Sequence, residues 1–325
     1  MDPMPAHQPI PLSQIEAARG RIAGSALRTP LVPLNADDLG REVSLKLENL
    51  QPIGSFKIRG AANAFGLADP AELARGVWTA SAGNMAQGVA WCARRAGIPC
   101  SVVVPDTAPE IKLGAIRRLG ATPIPVPAEV WFETFVTRRF PGLDGPMVHP
   151  FGDPAVMAGN GTIGLEILED LPEVSTVLVP YGGGGLISGI ASAVKAAKPS
   201  VRVLACEVDT AAPLSPSLAA GHPVEVTYTP TFVDGIGAPR VFPEMFDLVS
   251  RLVDGTLASS VTEIAGAVRL LAERNRVVAE GAGAASVAPV LAGRVGAASG
   301  PIVCVISGGN IDPAKLGLIL SGEVP

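Results

Sequence analysis

A chain of 325 residues, 48% hydrophobic and 17% charged, has apolar material for large cores and too little charge for disorder. A formal net charge of -5 and only 4% aromatic residues give nucleic acid neither an electrostatic footprint nor stacking platforms, and give an acidic membrane surface no attraction. No apolar run reaches the ~18 residues that span a bilayer, and MDPMPAHQPIPL lacks the basic region and apolar core of a secretory signal, so a cytoplasmic location is expected.

The length fits two domains, or one large α/β domain with an insertion. The first predicted element is a helix, with Ser13 and Glu16 as a capping box and Ile15, Ala18 and Ile22 on one face. REVSLKLENL alternates and predicts a half-exposed strand that leaves Lys46 solvated. GSFKIRGAANA then sets Lys57 between Phe56 and Ile58 among small residues, a setting built for close packing.

From there strands and helices alternate. GVWTA reads as a strand, followed by the loop SAGN and a helix to about Gly97; CSVVVP is a strand, and PEIKLGAIRRLG a helix ending at Gly120. ATPIPVP is a shorter strand weakened by its prolines. VSTVLVP, SVRVLACE and PIVCVIS are continuous β-rich runs, which suit parallel strands buried on both faces. The pattern predicts an α/β fold of two open, mostly parallel sheets with helices on both faces. Residues 1–59 and 151–325 are expected to form a large domain, with 60–150 a smaller inserted one. Cys92, Cys100, Cys206 and Cys304 show no CxxC spacing and read as buried thiols, and the scattered histidines offer no zinc site.

In such sheets ligands bind at the loops after strands. TVLVPYGGGGLISGIASAV runs a buried strand through Gly182, Gly183, Gly184 and Gly185 into a helix, so uncovered N–H groups and a helix N-terminus form a phosphate cradle. The absence of GK[ST] excludes a P-loop. A dinucleotide site remains an alternative: Gly183, Gly185 and Ser188 approach G-x-G-x-x-G without its third glycine, and Glu207 ends the next strand. TASAGNMAQGVA offers Ser81, the N–H groups of Ala82 to Met85 and the Asn84 amide at a helix start, a receptor for a carboxylate. In CVISGGN, Ser307 can present its hydroxyl to a ring nitrogen or a carbonyl.

A desolvated lysine loses pKa and becomes a nucleophile toward a carbonyl, forming a Schiff base. An aldehyde that also carries a phosphate and a ring nitrogen is pyridoxal 5'-phosphate (PLP): Lys57 answers the aldehyde, the glycine loop the phosphate and Ser307 the ring nitrogen, which leaves the SAGN loop for a substrate carboxylate.

The motifs SFKIRGA, SAGNMAQGVA, HPFGDPAVMAGNGTIGLEI, VPYGGGGLISGIA, DGIGA, EGAGA and SGGN follow one another in this order. Through them nearly the whole chain resembles the fold-type II PLP enzymes, tryptophan-synthase-β-like in fold. Within that group it is most similar to the threonine/serine dehydratases (ammonia-lyases) and serine racemases. The resemblance implies that Lys57 holds PLP and then removes the substrate Cα proton. It implies that Phe56 packs near the ring, Asn84 bonds the 3'-oxygen, and Gly182 to Gly185 with Leu186 bind the phosphate. Ser307 would face the pyridine nitrogen. Ser81, Ala82, Gly83 and Met85 would receive the substrate carboxylate, and Glu280 would stand near the substrate end. A serine opposite the ring nitrogen leaves it largely unprotonated, which weakens the electron sink and favours prompt loss of a β-hydroxyl. The implied reaction converts a β-hydroxy amino acid to a 2-oxo acid and ammonia, with racemisation, β-replacement or a nucleotide-dependent dehydrogenase as alternatives.

Several positions depart from the family pattern. Met85 replaces a usual histidine, and Asn160 a frequent glutamine. Ala82 stands where racemases carry a serine as second acid/base, which disfavours racemisation. Met85 and Trp131 together suggest a more apolar pocket, and thus a larger substrate such as phenylserine beside threonine or serine. The family often binds a monovalent or divalent cation near the cradle; Glu207 and the Ala211 carbonyl are the candidates, while Pro213 takes the place of a second acid. The chain ends at Pro325, soon after SGGN, so an appended regulatory domain and isoleucine feedback are not expected. A homodimer is expected from the family.

Overall fold

The computed structural model describes residues 7–37, 39–296 and 300–325; the opening residues of the segment read for a secretory signal lie outside them. Nine strands are present among the described residues: β1 Leu31–Pro33, β2 Val43–Lys46, β3 Val77–Ala80, β4 Cys100–Pro105, β5 Thr122–Val126, β6 Thr176–Pro180, β7 Arg202–Val208, β8 Gly255–Ser259 and β9 Ile302–Val305. Six form one sheet in the order β1-β2-β9-β6-β7-β8, and β3-β4-β5 form a second. Every pairing is parallel except β1 with β2. This is the expected α/β fold of two mostly parallel sheets.

The continuous apolar runs are explained by burial on two faces. Along β6, β7 and β9, Val177, Val179, Val203, Ala205, Val303 and Val305 enter one apolar layer, and Leu178, Leu204, Cys206, Ile302 and Cys304 enter the other. The small sheet buries Val77, Val102 and Val104 under its own helices, while Trp78, Ala80 and Val103 join the core of the large sheet. All four cysteines are free and buried, as expected.

Two local expectations fail. The first helix spans Leu12–Ile22 with Pro11 at its N-cap and no side-chain cap, so Ser13 is already inside it and makes no capping box. Its buried face is nevertheless Ile15, Ala18 and Ile22. The second failure is β2, which is buried at all four positions rather than half-exposed. It lies inside the sheet, between β1 and β9, and the helix Pro154–Asp170 covers the face that carries Lys46. Lys46 Nζ donates to Glu166 Oε2 at 2.6 Å and to the Thr29 carbonyl at 2.7 Å. Arg59 joins the same buried group, bonding both oxygens of Glu48 and both of Glu166 at 2.7–2.8 Å. Alternation alone does not distinguish a solvated lysine from one whose charge is matched by residues 120 positions away.

The loops that matter follow strand ends. β3 leads through Ser81–Gly83 into the helix Asn84–Ala96, β6 through the glycines into the helix Gly185–Ala197, and β9 into Ser307. An isolated bridge between Ser55 and Gly308 brings the segment before Lys57 to the end of β9.

Candidate active site

Lys57 opens the helix Lys57–Leu67. The Phe56 N–H donates to the Ser307 carbonyl at 3.0 Å, which ties the lysine to the third strand-end loop. The Lys57 ammonium is held by one bond, donated to the Pro150 carbonyl at 2.6 Å, and lies 5.0 Å from the centre of the Phe56 ring. The side chain is half-buried. Burial pushes its pKa down to about 8, with the Glu280 charge pulling the other way. Near neutrality a usable fraction is the free amine, which is the nucleophilic form.

The glycine cradle has separate requirements at each position. A Cβ on Gly183 would lie 2.1 Å from Phe151 Cδ1, and one on Gly185 2.7 Å from Phe151 Cα. Gly184 has φ +88°, a left-handed conformation that favours glycine. Gly182 has only ordinary contacts, starting at 3.4 Å. The helix Gly185–Ala197 supplies N–H groups that no helical carbonyl takes up, and Leu186 is buried in its first turn. A backbone packed this closely, at a helix start, fits a phosphate group.

Asn84, the first residue of its helix, is gripped from two sides. Its Nδ2 donates to Glu280 Oε1 at 2.8 Å, and its Oδ1 accepts from Asn310 Nδ2 at 2.8 Å. A second Nδ2 hydrogen is left for a ligand oxygen. Asn310 also donates to the Ile53 carbonyl at 2.8 Å. Burial raises Glu280 to about 7, reinforced by the Asp234 charge; the Asn84 bond and Lys112 oppose it. Lys112 Nζ in turn contacts Asp234 Oδ2 at 2.7 Å, across from the helix Glu110–Arg118 to the DGIGA loop.

Ser307 is 3% exposed at the end of β9. Beside it, the buried Ser55 hydroxyl has no hydrogen-bond partner. Ser81 Oγ accepts from Gly83 N at 3.2 Å and shapes its loop, while a Cβ on Gly83 would meet nothing within 4 Å. Ala82 packs partly buried against the small-sheet core, and the Met85 side chain lies fully within it. Trp131 sits against Phe135 with ring centres 5.6 Å apart, and its buried Nε1 has no partner. Asn160 is buried and donates to the Gly185 carbonyl at 3.2 Å.

The residues therefore fit PLP: an amine of lowered pKa, a cradle closed to side chains, an amide with a free hydrogen and a buried serine at a neighbouring strand end. The cation candidates are arranged differently. Glu207 is buried, and its two oxygens accept from Leu214 N at 2.9 Å and Ser215 N at 3.2 Å. Burial raises it to about 7. Ala211 is close by in a short turn, but no cluster of three acidic, histidine or cysteine side chains occurs among the described residues.

Asn310 and the Pro150 carbonyl were not assigned roles from the sequence. The asparagine closes the SGGN motif, so its position was visible. A backbone acceptor 93 residues from its lysine leaves no sequence signal.

Residues 22–308 match the family model described as pyridoxal-phosphate dependent enzyme. The chain is 42% identical over 324 residues to an L-threonine ammonia-lyase of Thermotoga maritima, covering 97% of this chain and 80% of that protein. Among solved structures it is similar to a maize serine racemase, with a TM-score of 0.89 and 34% identity over 97% of this chain and 98% of that one. It is also similar to a T.th. threonine deaminase, with a TM-score of 0.81 and 35% identity over 95% of this chain and 99% of that one.

Proposed function

Since this chain belongs to the pyridoxal-phosphate dependent enzyme family, we propose that it is an ammonia-lyase converting a β-hydroxy amino acid to a 2-oxo acid and ammonia. The observation that carries the reading is Lys57, whose ammonium has the Pro150 carbonyl as its partner, whose neighbour Phe56 is bonded to the Ser307 carbonyl, and whose pKa burial lowers to about 8. Bound there, PLP would supply a carbonyl for the amine and an electron sink for the Cα–H bond. Lys57 Nζ, released from the Pro150 carbonyl, is the base for the Cα proton. Gly182 to Gly185 and Leu186 would hold the phosphate, Asn84 the ring oxygen and Ser307 the ring nitrogen, and Phe56 would pack beside the ring. Ser81, Ala82, Gly83 and the Met85 N–H receive the carboxylate.

Threonine is the proposed substrate. The Met85 side chain belongs to the core rather than to open space, so it does not by itself enlarge a pocket; Trp131 is the residue that would contact a larger β-substituent. Racemisation has support in the similarity to a serine racemase, but Ala82 offers no second proton donor on the opposite side of the substrate. Residues 60–150 would move over the cleft as a lid, with the Lys112–Asp234 pair joining the two parts. A cation at Glu207 would compete with the two N–H groups that already hold its carboxylate. No described helix is long and apolar enough to cross a membrane, and a cytoplasmic homodimer completes the proposal. The test is to assay 2-oxo acid, ammonia and D-amino acid from L-threonine, L-serine and L-threo-phenylserine. D-isomer as the main product, or phenylserine preferred over threonine, would refute the respective part.

A further inference from the structure

The turn His149–Gly152 touches both halves of the site. The Pro150 carbonyl accepts the Lys57 bond at 2.6 Å. The Phe151 ring occupies the space that a Cβ on Gly183 would need, and the Phe151 backbone closes off Gly185. The turn is itself shaped by His149, whose Nδ1 accepts from Gly152 N at 2.8 Å and from Phe151 N at 3.4 Å.

His149 has no freedom to do anything else. It is 3% exposed. Its ring lies 4.6 Å from Phe135 and 4.8 Å, edge-on, from Phe151. Burial, with the Arg138 and Lys57 charges, pushes its pKa down to about 3, and the Phe135 backbone only partly opposes this. The imidazole is neutral at working pH, with Nδ1 the acceptor and the proton on Nε2. Arg138 grips the far end of the turn through Nη2 to the Gly152 carbonyl at 2.6 Å.

We propose that His149 is a positioning residue that sets the Lys57 amine and the glycine cradle together, through the turn it caps. The inference rests on the functional reading above. Loss of the Nδ1 acceptor strands buried N–H groups, which the backbone can satisfy only by leaving this conformation. The Pro150 carbonyl and the Phe151 ring then leave with it, so one side chain controls both the Lys57 contact and the Gly183 contact.

Two variants of the full chain separate this role from general packing. His149→Phe keeps an aromatic ring but has no acceptor. His149→Asn places an oxygen where it can cap the N–H groups two and three residues on, as in an Asx turn. Both are studied as apoprotein with two probes. Pyridoxine 5'-phosphate carries an alcohol in place of the aldehyde, so it reports the cradle without reacting with Lys57. PLP reports the amine through the rate at which visible absorbance appears. His149→Phe should bind pyridoxine 5'-phosphate about tenfold more weakly and capture PLP about tenfold more slowly, with His149→Asn within about threefold of wild type on both. Arg138→Leu, which frees the Gly152 carbonyl, should show the same paired loss and keeps the test open if His149→Phe does not fold. Wild-type behaviour of His149→Phe and Arg138→Leu on both probes, or equal losses in His149→Phe and His149→Asn, would overturn the proposal. Wild-type protein that binds neither probe would overturn the functional reading itself, and this proposal with it.

Discussion

Gly183→Ala is the sharpest perturbation of the cradle. Its new Cβ would stand 2.1 Å from Phe151 Cδ1 and 2.3 Å from Cε1, about 1.4 Å inside the ~3.5 Å at which carbon atoms rest. The ring cannot yield easily. It is wedged against Phe242 at 4.7 Å, His149 at 4.8 Å and Phe135 at 5.3 Å. The glycine loop must therefore move, and overpacking of this kind costs about 1–3 kcal/mol, or about 5- to 150-fold in cofactor affinity if the strain falls on the bound loop. Gly182→Ala is the control, since its contacts begin at 3.4 Å. Titrating apoprotein with PLP and following visible absorbance gives both affinities. Gly183→Ala binding as tightly as wild type, or Gly182→Ala losing as much as Gly183→Ala, would refute the reasoning.

Four further outcomes are expected. Capture of PLP by apoprotein needs the free amine of Lys57, so its rate should rise as pH is raised through about 8, not through the ~10.4 of an ordinary lysine. Folding lowers this pKa from 10.5 to about 8; the unfolded chain then holds the extra proton between those values, and apoprotein stability should rise across that window in denaturant titrations. Arg59→Met should destabilise the protein by about 3–5 kcal/mol, because Glu48 and Glu166 lose their shared buried cation; an unchanged unfolding midpoint would show the network to be dispensable. Ala82→Ser should add measurable racemisation, detected by chiral chromatography of recovered threonine, and no D-isomer would show that a hydroxyl there cannot reach the substrate.

The places of Lys57, the glycines, Asn84 and Ser307 at helix starts and strand ends were legible because each belongs to a short segment with a local signature. A strand end, a run of small residues and a helix start can all be read within about ten positions. The parallel sheets were legible for the same reason, since β6, β7 and β9 are buried on both faces and leave no polar alternation. What was hidden depends on partners far along the chain. Alternation makes Lys46 read as solvated and small neighbours make Lys57 read as packed, yet Lys46 is the fully buried one. Lys46 is neutralised by Glu166 from a distant helix, and Lys57 is held by a carbonyl alone. β1 and β8 escaped because three residues, and a five-residue strand that opens with Gly255 and Thr256, carry too little apolar pattern. Met85 and Trp131 show the limit for specificity. Both read as apolar residues of a substrate pocket, yet Met85 is buried in the small-sheet core and Trp131 packs against Phe135.

The central claim is that Lys57 carries PLP and that threonine is the substrate. The visible spectrum of purified protein, before and after L-threonine, with 2-oxo acid and ammonia assayed in the same cuvette, tests it most directly. The account predicts a band near ~410–420 nm, the range of a lysine-bound PLP, which threonine perturbs as both products form, and which Lys57→Ala lacks. A colourless protein that stays colourless after incubation with PLP would contradict it.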